Sequence, residues 1–204
     1  MAKTTFAEEI YLRALTGKIV GEAVMAGYNK VAVVSVRNTI CSAISAAAEA
    51  AFVSKTNGRT AHFIVEPGNV ASTVDQVAVF APQAVVLMFG GETPIEETKA
   101  LFVDTLKAMA KANLAVDIIV HVRIFAAGGL QAAVADADVA RYLDKRSVFV
   151  YTVNFDDGLV LYNRVRMDGQ QPQLTKLAEV PVTVEHADLL NRSLRDRTVA
   201  WVDA

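Results

Sequence analysis

The sequence predicts a three-layer α/β domain: a doubly wound, mainly parallel sheet extended by a C-terminal antiparallel hairpin. Three observations carry this. Two apolar runs of strand length, 84–89 unbroken and 30–36 nearly so, are what strands buried on both faces require. Strand-like runs alternate with segments of helical apolar spacing as far as residue 147. Beyond that point two β-rich arms flank Asp156-Asp157-Gly158, a hairpin signal.

Thr5-Phe6-Ala7-Glu8 has the spacing of a capping box, and Phe6, Ile10 and Ala14 recur at helical intervals until Gly27, which predicts a helix over 6–26. Gly17 and Gly21, four apart, let another backbone approach, and the helix is expected to cover a sheet face rather than form a dimer seam. The first apolar strand ends at Arg37-Asn38-Thr39, where Asn38 or Thr39 can cap an Ala-rich helix over 40–53; Asn57-Gly58 then turns the chain. Cys41 falls in that helix's first turn, which lowers a thiol pKa, but with no base nearby in sequence it reads as a small buried residue.

In the run 60–66, Thr60, His62, Ile64 and Glu66 share one side, so this strand belongs near an edge. A helix over 70–80 follows the turn Pro67-Gly68-Asn69 and leads to the central strand at 84–89. Gly90 and Gly91 allow a sharp turn there, after which Thr93, Pro94 and Glu96 have the spacing of a capping box for a helix that runs to about Asn113. The run 116–125 has one aliphatic face, and His121 and Arg123 on the other would lie about 7 Å apart on a strand. A helix is expected over 130–143.

The hairpin arms are 148–155 and 159–167, with the first arm also extending the sheet. They precede a loop at 168–172, a short strand over 180–184 interrupted by Pro181, a helix over 187–195 and a strand over 198–202. The chain is expected to be a single domain, 1–147 forming the α/β core and 148–204 the extension. Ranking strands by polarity puts the two wholly apolar ones side by side at the centre. That is the 2-1-3-4 order of flavodoxin-like sheets, with a Rossmann arrangement as the alternative.

Twenty basic and twenty-two acidic residues give a net charge of −2, so no overall field draws in nucleic acid, and acidic residues interspersed among Arg164, Arg166, Arg192, Arg195 and Arg197 argue for solvated surface. A single cysteine excludes an internal disulfide and a thiolate metal cluster, and three scattered histidines suggest no metal site. Glu8 and Glu9 stand where a secretory signal needs an apolar core, and no apolar run is long enough to span a membrane, so a cytoplasmic protein is expected. An apolar fraction of 53% suggests a homo-oligomer.

Phosphate-loop, dinucleotide and serine-elbow motifs are absent. In open α/β sheets the ligand crevice lies outside the carboxyl ends of the strands, where the order reverses. Here that brings Ser35, Arg37, Asn38 and Thr39 opposite Gly90, Gly91, Glu92 and Thr93, with His121 and Arg123 extending the crevice. Two helix N-termini and Arg37 would suit a small anion such as a nucleotide or phosphorylated metabolite. The expected role is therefore a cytoplasmic anion-binding module of the general doubly wound type. The alternatives are a self-assembling structural subunit and an enzyme built from Arg37, Glu92, His121 and Arg123. The sequence names no cofactor and no catalytic group. His62 and Glu66, two apart on another strand, read as a solvated edge rather than an acid/base pair.

Overall fold

The two most apolar runs lie at the heart of the sheet, as strands flanked on both sides must. The computed structural model describes residues 4–154 and 156–195. Its strands are β1 (Lys30–Val36), β2 (Arg59–Val65), β3 (Ala84–Met88), β4 (Asp117–Val120), β5 (Val148–Asn154), β6 (Leu159–Asp168) and β7 (Gln171–Pro181). They form one seven-stranded sheet in the order β2-β1-β3-β4-β5-β6-β7. Pairing is parallel from β2 through β5 and antiparallel from β5 to β7. Every residue of β3, and of β1 from Val31 on, is buried.

The helices are α1 (Phe6–Ile19), α2 (Thr39–Thr56), α3 (Val70–Phe80), α4 (Ile95–Lys111), α5 (Val122–Ala126), α6 (Gly129–Ala133), α7 (Ala137–Leu143) and α8 (Val184–Arg195). A π-helical turn, Val20–Val24, continues α1 toward β1. On one face of the sheet α2 and this turn bury Val31, Val33, Val86 and Met88 against Ile44, Ala48 and Phe52. On the other face Val85, Leu87 and Ile118 pack with Phe102, Leu106, Leu130 and Val139 of α4, α6 and α7. Each Val, Leu, Ile, Phe or Met side chain among these contributes roughly 1.5–3 kcal/mol on burial. Leu189 and Leu190 of α8 meet Leu12 of α1.

The capping box at Thr5 and Glu8 forms in both directions, with Glu8 N donating to Thr5 Oγ1 and Thr5 N to the Glu8 carboxylate. An added Cβ on Gly17 or Gly21 would collide with the carbonyls of Ile44 or Ala48, so α1 and the turn that continues it lie backbone against backbone on α2. This is the close approach expected, made within the chain.

Four local expectations change. The box at Thr93 does not form: Pro94 is the N-cap with extended geometry, φ −52° and ψ 140°, no side chain caps the first turn, and α4 starts one residue later. The long strand over 116–125 is only four residues, because its pairing with β3 ends at Val120 and the His121 side chain accepts the N–H of Arg123, turning the chain into α5. The helix over 130–143 is two helices, since Asp136 caps a fresh start by accepting from Asp138 N and Val139 N. The loop and broken strand between 168 and 184 are largely one eleven-residue strand, β7, antiparallel to β6, with Pro181 at its end. Most of β7 is exposed, so it needs no apolar alternation. The expected strand over 198–202 lies outside the described residues.

Candidate functional site

The carboxyl ends of β1 and β3 meet as the strand order requires, and the residues there close on one another. Asn38 caps α2, its Oδ1 accepting from Cys41 N at 2.7 Å and its Nδ2 donating to Gly90 O at 3.1 Å. Glu92 reaches across so that its Oε2 accepts from Thr39 N at 3.1 Å. The N-terminus of α2, where a bound anion would sit, is thus occupied by the chain's own carboxylate and amide. Gly91, at φ +77°, lies so close to Asn38 that a Cβ there would strike the amide.

Arg37 does not enter the crevice. Its Nε pairs with Glu66 at 3.2 Å, and 73% of its side chain is exposed. Ser35 is fully buried below the rim. His121 is buried at the end of β4, edge to face with Tyr151, and Arg123 donates from Nη1 to Gly91 O at 3.1 Å. Asn38, Thr39, Gly90, Gly91, Glu92, Thr93, His121 and Arg123 therefore come together; Arg37 and Ser35 do not join them. The four-residue enzyme constellation does not assemble either, since Arg37 is engaged with Glu66 and Glu92 with Thr39 N.

Beneath the rim lies a polar cluster that the sequence did not signal. Glu9 and Arg13, one helical turn apart on α1, are both buried and paired at 3.0 Å, with Thr4 donating to the second Glu9 oxygen and Arg13 donating to Ser193 of α8. The i, i+4 spacing that makes this pair is equally that of a solvent-exposed one, so nothing in the sequence marked it. Burial, then the cations of Arg13 and Arg123, hold the His121 imidazole well below its ordinary value, so it is neutral; since its Nδ1 accepts from Arg123 N, its proton is on Nε2. Burial pushes the Cys41 thiol up to about 11, which leaves it an inert core residue.

A second constellation has the outline of a serine triad: Ser35 Oγ is 2.7 Å from His62 Nε2, and His62 Nδ1 is 3.6 Å from the Glu49 carboxylate, which also accepts from Thr60. The sequence places His62 beside Glu66, but Glu66 turns to Arg37 instead. Catalysis is not what this geometry supports. Ser35 is inaccessible, its hydroxyl also has the Val36 carbonyl within reach, and 3.6 Å is too long to orient an imidazole firmly. It reads as a polar tie between β1, β2 and α2. Among the described residues no group of three or more His, Cys, Asp or Glu could hold a metal ion, and no helix is long and apolar enough to cross a membrane.

Solved structures similar to this chain include a candidate branched-chain amino acid ABC transporter from Rhodospirillum rubrum, at 19% identity and a TM-score of 0.45, over 69% of this chain and 37% of that one. Full-length LpoA from Haemophilus influenzae matches at 9% identity and a TM-score of 0.49, over 72% and 24% of the two chains. The solute binding protein of an ABC transporter from R. palustris, in complex with benzoate, matches at 14% and a TM-score of 0.48, over 85% and 65%. The chain thus spans less than two thirds of each. No curated protein matches it. The expected role as a cytoplasmic module for a small anion is corrected, because Glu92 and Asn38 fill the place an anion would take at the N-terminus of α2. A family model matches residues 9–189, nearly the whole chain, and the chain belongs to that family, which is described as "Uncharacterized protein".

Proposed function

We propose that the chain is a small-molecule-binding α/β module whose ligand carries both a positive and a negative group, as a free amino acid does, and is held on the rim at the carboxyl ends of β1, β3 and β4. One observation supports this above the rest. Glu92 and Arg123 flank Gly91 with opposite charges, yet no ion pair joins them; each is anchored on backbone, at Thr39 N and Gly91 O. Glu92 keeps its second carboxylate oxygen for an ammonium group, and Arg123 keeps guanidinium donors for a carboxylate. Arg123 is partly buried beside the Arg13 cation, so an incoming carboxylate relieves an unfavourable charge, while the Glu92 carboxylate opposes a phosphate. Self-association does not enter this reading: the large apolar side chains exposed among the described residues are scattered over α1, α2, α3, β7 and the start of α8.

Thermal melting tests it. Free amino acids should raise the melting temperature of the protein, Arg123→Ala together with Glu92→Gln should remove that gain, and any response to inorganic phosphate should survive both substitutions. No gain with free amino acids, or a gain that survives both substitutions, would overturn the proposal.

A further inference from the structure

A groove of about 450 Å³ opens between the C-terminal half of α4 and α7, at the end of the sheet away from the rim. That volume lies within the range of small-molecule sites. Four cations line it, Lys107, Lys111, Arg141 and Lys145, against two carboxylates, Asp136 and Asp138. Both carboxylates are already engaged. Asp138 pairs with Arg141, while Asp136 accepts from two backbone amides at the start of α7 and stands 3.9 Å from Lys107. Lys111 and Lys145 have no ion-pair partner among the described residues. In a chain of net charge −2, this groove is a local excess of positive charge with concave walls.

The walls are fixed before any ligand arrives. Tyr142 Oη donates to Leu114 O at 3.0 Å, and Arg146 donates from Nε to the same carbonyl at 2.8 Å and from Nη2 to Asn113 Oδ1 at 3.0 Å. The Arg146 guanidinium also stacks on the Tyr142 ring, 5.0 Å from its centroid. These bonds tie the turn after α4 to the turn after α7, so ordering the site on binding costs little. We propose that this groove binds a small dianion, a dicarboxylate or a phosphate monoester, between Lys111 and Lys145. The site is separate from the rim, and its failure would leave the reading of the rim untouched.

Calorimetric titration of the full chain with succinate and, separately, with glycerol phosphate tests it. Saturable binding of either is expected, weakened about tenfold or more by Lys111→Glu with Lys145→Glu and unchanged by Lys55→Glu on the exposed side of α2. Succinate alone would assign carboxylates and glycerol phosphate alone phosphate esters. No saturable heat with either probe, or equal binding by all three proteins, would overturn the proposal.

Discussion

His186 lies under α1, where its Nε2 is 3.1 Å from Thr16 Oγ1. The Thr16 hydroxyl gives its own hydrogen to Leu12 O, so His186 is the donor, through Nε2. Burial, then the Arg13 cation, lower its pKa from 6.5 to about 4. The folded pKa is therefore below the unfolded one, and as the pH falls the unfolded chain takes up the proton first. The stabilising effect is complete above pH 6.5 and is lost as the pH drops toward 4. His62 and His121 are lowered in the same sense. The melting temperature should fall between those pH values, and His186→Gln, which retains a donor for Thr16, should flatten that slope; an unchanged slope would remove His186 from the account. None of this was legible at residue scale. His186 has Glu185 as its sequence neighbour, whereas its energetics come from Thr16 and Arg13, brought to it only when α8 packs on α1.

Among elements, α1 and α2 show where local pattern suffices. Gly17 and Gly21 in an otherwise regular helix announced a close approach, and the carbonyls of Ile44 and Ala48 fill the space where their Cβ atoms would be. Helix propensity alone predicts that Gly17→Ala stabilises by about 0.5–1 kcal/mol. The packing predicts the opposite sign, a loss of roughly 1–3 kcal/mol, because two backbones would have to separate. Urea denaturation decides between them. Where pattern misled, the cause was a side chain competing with the ladder or an edge that escapes burial. His121 and Asp136 each redirect the backbone by accepting an N–H two residues on, which hydrophobic spacing does not register. The polar composition of β7 hid a strand bonded to the sheet along one side only.

For the whole molecule, ranking strands by polarity was enough to order the parallel core, because centrality in a doubly wound sheet is burial on both faces and burial is written in composition. The meeting of the loops after β1 and β3 followed from that order. Whether the crevice stood open did not, since it depends on Glu92 reaching Thr39 N, on Arg37 leaving for Glu66, and on the Asn38 amide filling the space beside Gly91. A sheet that folds around its own carboxylate at the helix N-terminus has exchanged an anion seat for a mixed-charge rim. The most direct measurement of that claim is an amide NMR titration of the protein with a free amino acid. The signals of residues 37–39, 90–93 and 123 should move together and saturate, with inorganic phosphate leaving them in place; shifts confined to other residues, or rim signals that respond to phosphate instead, would contradict it.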